Sequence, residues 1–195
     1  MRLFVGLFPP AEAISHAAEA VDRISSTTPD VRWVPPERWH LTCVFLGDVP
    51  HSPRRVGTAL DQALAGLPPI EEVRLAGAGT FPGVLWLGID QKGAELRAES
   101  AAGVTIAPMV RLPSIVSRIR GEMRSLGMPV SDRLWVPHLT IGRWRSSDAE
   151  PSATGAVHAL SRYGGPAFTV REVHLVQSIT GPEPRYDVLH TATLR

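Results

Sequence analysis

The sequence predicts an α+β protein built from two pseudo-symmetric lobes, each with an antiparallel sheet and outer helices, around a central cleft. Three observations predict this class. Apolar β-prone runs and helical segments do not alternate strictly, short Gly- and Pro-containing loops join some strands as hairpins, and a His-Leu-Thr motif occurs twice in a repeated order of elements. Hairpin-joined strands favour α+β over a doubly wound parallel sheet. We expect one domain over residues 1–195.

The first half of the chain alternates between strand-like and helix-like segments. Residues 2–8 are apolar and end at a Pro-Pro pair, and the Ala- and Glu-rich residues 11–25 that follow predict a helix. Residues 39–49 are rich in β-branched and aromatic side chains and predict a second strand. Residues 53–67 have helical Ala/Leu spacing, with Ser52 placed to cap the helix.

A predicted hairpin follows towards the middle of the chain. Residues 73–78 and 84–89 are short apolar runs separated by a Gly- and Pro-containing loop, which predicts two strands. Residues 91–113 mix helix formers with Gly and Pro and show no sustained period, so they are predicted to be irregular. The remaining predicted elements are a helix at 114–126, a strand at 134–144, a helix at 151–163, and closing strands at 168–178 and 186–194.

Composition places the chain among ordinary soluble proteins. Apolar residues make up 44% and charged residues 20% of the sequence, and the formal net charge is +1. Such a balance provides no global basic field for wrapping a long nucleic acid. The single cysteine, Cys43, fits a reducing compartment, and no segment is long and apolar enough for a membrane span. We expect a cytoplasmic protein without membrane contact, and a monomer by default.

The chemistry is predicted to reside in two motifs, because residues 40–42 and 138–140 both read His-Leu-Thr. In a strand, alternate side chains point to opposite faces, so the His and Thr of each motif share one face. A neutral imidazole can accept a proton while a protonated one donates a proton, and Thr hydroxyls can donate to phosphoryl oxygens. The motifs therefore predict acid–base chemistry on a phosphate ester, without deciding which histidine plays which part.

A metal site is the competing interpretation of the two histidines. Zinc sites use three or four ligands at recognisable spacing, and neither motif provides such a set. We therefore expect no metal and no cofactor.

Five segments carry a resemblance to a known family, beyond the two His-x-Thr-x motifs themselves. The segments are RLFVGLFPP, RWVPPERWHLT, FPGVLWLGI, WVPHLTIGR and VHLVQSITGPEPRYDVL. Over almost the whole chain, the sequence resembles the two-histidine (2H) phosphoesterases, specifically the LigT-like RNA 2′,3′-cyclic phosphodiesterases.

The resemblance implies a bilobal α+β fold with a central water-filled cleft, and hydrolysis of RNA 2′,3′-cyclic phosphate to a 2′-phosphomonoester. It implies that His40 is the proton donor and His138 the proton acceptor. Thr42 and Thr140 would bind the phosphate, and Arg143 stands where the family often has a basic residue that pairs with it. The two histidines are further apart in sequence than the resemblance implies, and the surplus falls in residues 93–113.

Four aromatic residues could stack a terminal base: Trp33, Phe45, Phe81 and Trp86. Phe81, in a Gly/Pro loop, is predicted to line the cleft. Phe45 follows His40 by an odd number of residues, so simple alternation predicts that it faces the other way. The same alternation turns Cys43 away from His40 and predicts a buried thiol.

Three functions are compatible with the motifs. The first is hydrolysis of RNA with a 2′,3′-cyclic phosphate terminus. The second is cleavage of a small cyclic nucleotide or an ADP-ribose cyclic phosphate, which the same chemistry would serve. The third is a non-catalytic RNA-end binder or ligase-like module, against which two titratable imidazoles argue.

Overall fold

The computed structural model describes residues 1–91, 111–145, 150–181 and 185–195. Of the predicted irregular stretch, residues 92–110 lie outside the described residues. The helices are α1 (Ala11–Ser25), α2 (Pro53–Leu64), α3 (Leu112–Ser125) and α4 (Glu150–Leu160), with a 3₁₀ turn at Pro36–Arg38. The strands are β1 (Arg2–Leu7), β2 (Arg32–Trp33), β3 (Leu41–Asp48), β4 (Ile70–Phe81), β5 (Val84–Gln91), β6 (His138–Arg143), β7 (Phe168–Val170), β8 (Glu172–Ile179) and β9 (Arg185–Thr193).

Local signals in the sequence explain where the helices begin and end. The Pro9–Pro10 pair ends β1, and α1 begins directly after it. At α2 the predicted cap is present, because the Ser52 hydroxyl accepts a hydrogen bond from the Arg55 backbone N–H at 3.4 Å. Beyond the end of α3, Gly127 adopts a φ of 78°, a conformation that glycine tolerates best. None of the helices in the described ranges combines the length and apolar character needed to cross a lipid bilayer.

All nine strands of the described residues join one sheet, in the order β7-β4-β5-β6-β3-β1-β8-β9, with β2 added against β6. Every pairing within it is antiparallel. This arrangement confirms the α+β class. It does not confirm a separate sheet in each lobe, because β3 and β6 hydrogen-bond to each other at the centre.

The helices bury two apolar clusters against one face of this sheet. The α2–α3 pair covers strands that include β3, β1 and β8, whereas α1 and α4 cover β4, β5 and β6. Each half of the sheet therefore combines elements from the first and the second half of the sequence. Neither half is formed by one continuous stretch of the chain, since long-range strand pairing decides which segments assemble.

Two of the predicted strands differ from the strands in the structure. Residues 168–178 form two strands, because the chain passes Arg171 from β7, which pairs with β4, to β8, which pairs with β1. The predicted strand at 134–144 is shorter, and β6 begins at His138. A short strand that was not predicted, β2, pairs Arg32 with Arg143 and Trp33 with Gly142.

The central strand pair depends on the packing of Leu139, which is fully buried. We expect Leu139→Ala to lower the free energy of unfolding by about 2–5 kcal/mol, since it removes buried methyl groups and leaves a cavity. Leu134→Ala is the matched control, because Leu134 is 90% exposed just before the same strand, and we expect it to change stability by less than about 0.5 kcal/mol. Urea denaturation monitored by circular dichroism measures both values. Equal losses in the two variants would show that β6 does not anchor the core.

Candidate active site

The two His-Leu-Thr motifs lie side by side on β3 and β6. The antiparallel register pairs Leu41 with Leu139. The flanking residues of the two motifs therefore face one another across the strands, His40 opposite Thr140 and Thr42 opposite His138. Both leucines are fully buried on the helix-covered face, whereas both histidines and both threonines are partly exposed on the open face. The pairing thus gathers two imidazoles and two hydroxyls into one group, which we call the His/Thr quartet.

Both imidazoles are held in the same way. Nδ1 of His40 lies 2.8 Å from the Arg38 carbonyl oxygen, and Nδ1 of His138 lies 2.8 Å from the Val136 carbonyl oxygen. A carbonyl oxygen only accepts, so each Nδ1 carries the proton and donates it. In the neutral form each Nε2 is then left as the acceptor.

Prolines and tryptophans place these carbonyls. On the first side, Pro36–Arg38 forms one 3₁₀ turn, and the Trp39 indole N–H donates to the Val34 carbonyl oxygen at 2.7 Å. On the second side, Pro137 restricts the preceding Val136 to extended backbone. The Trp135 indole N–H, 2.9 Å from the Thr42 carbonyl oxygen, fastens this segment to β3.

Aromatic rings enclose each histidine. The His40 ring lies 4.8 Å from the Phe4 ring and 4.7 Å from the Tyr186 ring, measured between centroids. The Phe81 ring stands edge-to-face on His138 at 5.0 Å and 88°. Phe81 ends β4 and contacts this ring, but it is not among the residues that line the cavity described below. The predicted cleft aromatic is therefore in contact with a histidine of the quartet.

A β-bulge follows each motif. The pairing of β3 with β1 shifts register between Gly6 and Val5, which oppose Thr42 and Val44, and the pairing of β6 with β5 shifts between Trp86 and Leu85, which oppose Thr140 and Gly142. One extra residue in each strand reverses the alternation beyond it.

The bulges bring the fifth residue after each histidine into the cleft. These residues are Phe45 and Arg143, and both line the cavity with the quartet. The expectation that Phe45 faces away from His40 is therefore wrong, because strict alternation ignores the bulge. Phe45 is 50% exposed, and the Arg2 guanidinium lies over its ring at 5.1 Å.

The open face of the sheet holds a cavity of about 820 Å³, and all four residues of the quartet line it. Its walls include side chains that the sequence analysis did not single out, chiefly Arg32, Arg38, Arg145 and Tyr186. They lie in or beside segments that carry the family resemblance, such as RWVPPER and EPRYDVL, but nothing in a linear pattern shows which of their side chains reach the cleft.

The two histidines differ in their electrostatic surroundings. Burial lowers the pKa of His40 from its ordinary value, the hydrogen bond to the Arg38 carbonyl opposes this, and the charges of His138 and Arg143 lower it further. A lowered pKa makes protonated His40 a stronger acid. An anion bound between the histidines would counter the two positive neighbours.

The thiol of the single cysteine lies apart from the quartet. Cys43 is buried on the helix-covered face, as alternation predicts, and burial raises the pKa of its thiol to about 12. Among the described residues, no three His, Cys, Asp or Glu side chains are grouped so as to hold a metal ion.

Comparison with known proteins identifies the family. The family model that matches residues 9–182 is described as the 2′-5′ RNA ligase superfamily. The chain belongs to this superfamily.

Named relatives support the resemblance seen in the sequence. The RNA 2′,3′-cyclic phosphodiesterase of Thermus thermophilus is 30% identical over 202 residues, which cover 100% of this chain and 91% of that protein. The RNA 2′,3′-cyclic phosphodiesterase of Geobacillus stearothermophilus is 28% identical over 188 residues, covering 90% of this chain and 52% of that protein. The chain thus spans about half the length of this second relative.

A solved structure supports the fold. The crystal structure of the Thermus thermophilus protein TT0787 matches with a TM-score of 0.71 and 24% identity, over 100% of this chain and 98% of that one. At this identity the match shows the fold alone, and it agrees with the predicted α+β class.

The charges around His40 give a testable prediction. We expect the pKa of His40 to rise in His138→Ala and in Arg143→Gln, because each change removes a positive neighbour that disfavours the imidazolium. NMR titration of the His40 Cε1–H signal measures it. Arg118→Gln, on the exposed surface of α3, serves as the control and should leave the titration unchanged. An unchanged His40 titration in both test variants would mean that these groups lie too far away to interact.

Proposed function

We propose that this protein hydrolyses the 2′,3′-cyclic phosphate ends of RNA to 2′-phosphomonoesters by acid–base catalysis without a metal. The observation that carries the proposal is the His/Thr quartet, in which two equivalently held histidines flank one site on adjacent strands. The names of the relatives point to the same chemistry.

In the proposed step, His138 and His40 act on opposite sides of the phosphorus. Nε2 of neutral His138 takes a proton from a water molecule as the water oxygen bonds to phosphorus. The bond from phosphorus to O3′ breaks, and protonated His40 gives its proton to O3′. The products are a 2′-phosphate and a free 3′-hydroxyl, and the proton gained by His138 balances the one lost by His40.

The remaining groups of the site would bind the phosphate. The hydroxyls of Thr42 and Thr140 would donate hydrogen bonds to the non-bridging oxygens, which gain charge during the attack. The Arg143 guanidinium would pair with the same oxygens through two parallel hydrogen bonds. The proposed role of Phe81 is to hold His138, and that of Phe45 is to stack the terminal base from the cavity wall.

We also propose a domain organisation, a cellular compartment and an oligomeric state for this protein. A single domain over residues 1–195 is supported by the one sheet that joins strands from both ends of the described chain. The lone buried Cys43 fits the reducing conditions of the cytoplasm. Monomeric function is proposed because the quartet is complete within one chain.

The division of labour between the histidines can be tested with leaving groups. If His40 protonates the leaving O3′, His40→Ala should lose about 10²–10⁴-fold in kcat on a ribose cyclic phosphate, but much less on a nitrophenyl phosphodiester, whose phenolate departs without a proton. His138→Ala should lose comparably on both substrates. Steady-state rates of the two variants with the two substrates measure this.

The opposite pattern has a definite meaning. Rescue of His138→Ala alone by the nitrophenyl substrate would reverse the two roles. A loss of less than about tenfold in both variants on both substrates would reject the two-histidine mechanism. His158→Ala, on α4 and outside the quartet, is the control and should keep the full rate.

Metal independence is tested by chelation. We expect turnover of a cyclic-phosphate oligonucleotide to be unchanged in excess EDTA, because the proposed proton transfers need only the imidazoles. Loss of activity in EDTA followed by recovery with a divalent ion would contradict the proposed chemistry.

A further inference from the structure

Four arginines gather at one end of the cavity: Arg32, Arg38, Arg143 and Arg145. No Asp or Glu of the described chain is among the residues that line this cavity. Of these four arginines, only Arg143 has a role in the proposed chemistry at the reacting phosphate. The other three give this end a positive charge that the acid–base step does not require.

The backbone forces two of these charges together. Arg32 on β2 pairs directly with Arg143 on β6, and like charges in opposed positions destabilise a sheet. Arg32, Arg143 and Arg145 are exposed, and within the described ranges none of the four arginines forms an ion pair with a carboxylate. The folded chain therefore leaves this positive charge available to an anionic ligand.

The arginines and the aromatic residues occupy opposite ends of the cleft. Because β3 and β6 are antiparallel, the end of β6 at Arg143 lies beside the start of β3 near Arg38. Phe45 lies further along β3, beyond the quartet in the other direction, and Tyr186 packs on that side against Phe4. The reacting phosphate would sit between these two ends.

The covalent structure of a nucleotide matches this order. Around the ribose, C2′ and C3′ lie between C1′, which bears the base, and C4′, which leads to the 5′ oxygen. A cyclic phosphate on the quartet with its base towards Phe45 therefore directs its 5′ substituent towards the arginines. In an RNA chain that substituent is the next phosphodiester, and the cavity, at about 820 Å³, is near the upper end of the usual range for ligand sites.

We propose that Arg32 and Arg145 form a second phosphate subsite, which binds the phosphodiester between the terminal nucleotide and the one before it. This inference rests on the proposed function and deepens it. The planar guanidinium suits paired hydrogen bonds to phosphate oxygens. The subsite makes the end of an oligonucleotide a better substrate than a lone cyclic mononucleotide.

Three substrates test the subsite: a nucleoside 2′,3′-cyclic phosphate, a dinucleotide with the same cyclic end, and that dinucleotide with a neutral methylphosphonate linkage. We expect kcat/KM of the wild-type protein to be about tenfold higher on the charged dinucleotide than on the other two, in line with a hydrogen bond to a charged group. The methylphosphonate retains the second nucleoside, so this comparison separates charge from size.

The variants then locate the contact. Arg32→Gln and Arg145→Gln should each reduce the preference for the charged over the neutral dinucleotide, and the double variant should abolish it, because two changes to one contact are not additive. Arg118→Gln, on the far side of the sheet, should retain the full preference. Equal kcat/KM on both dinucleotides in the wild-type protein, or a preference that survives in the double variant, would overturn the subsite while leaving the proposed function intact.

If no substrate is turned over, the proposed function is rejected. A binding measurement then tests the phosphate subsite separately. Fluorescence anisotropy with a labelled trinucleotide ending in a 2′-phosphate gives the slope of log Kd against log salt concentration. Loss of one phosphate contact should reduce the slope by about 0.7 for a single strand. A smaller slope in Arg32→Gln/Arg145→Gln than in Arg118→Gln would support the subsite, and identical slopes would overturn it.

Discussion

The pairing of Leu41 with Leu139 is the contact on which the rest of this structure depends. It joins two halves of a sheet whose strands come from both ends of the chain. Burial of these two side chains stabilises the fold by about 1.5–3 kcal/mol each. Because side chains alternate along a strand, the same burial forces the neighbouring His and Thr residues onto the open face. The buried Leu41–Leu139 contact and the His/Thr quartet therefore depend on the same strand register, and a slip by one residue would destroy both.

The second constraint is the way each imidazole is held. A backbone carbonyl two residues earlier fixes Nδ1 of both histidines at the same distance, and aromatic rings restrict the motion of both rings. Backbone carbonyls and packed rings stay in place when a substrate binds, so the orientation of Nε2 is set before the reaction. The symmetry is not complete, since burial and positive neighbours lower the pKa of His40 from its ordinary value. The proposed role of His40 as the acid therefore depends on the bound phosphate, whose negative charge favours the imidazolium.

The two bulges make the two ends of the cleft chemically different. Each inserts one residue after a His-x-Thr motif and turns the following side chain into the cavity, Phe45 in one strand and Arg143 in the other. Gly142 is needed at the second bulge, because a Cβ there would lie 2.6 Å from Cγ1 of Val31. The same backbone irregularity, a β-bulge, thus places an aromatic ring at one end of the cleft and a cation at the other. The site therefore favours one orientation of a ligand.

The sequence by itself determined the α+β class, most of the elements and which four residues form the quartet, since hydrophobic period, prolines, caps and the duplicated motif are local signals. It also predicted that Cys43 is buried, because the bulge at Cys43 reverses the alternation only for the residues after it. Tertiary structure decided the rest. Residues 168–178 divide between two strands because β4 and β1 each require a partner. Phe45 enters the cleft because of a bulge in the pairing of β3 with β1. Phe81 contacts the His138 ring because β4 extends as far as this ring. The arginine end exists only because β2 pairs with β6, a contact between residues distant in sequence that no local pattern encodes.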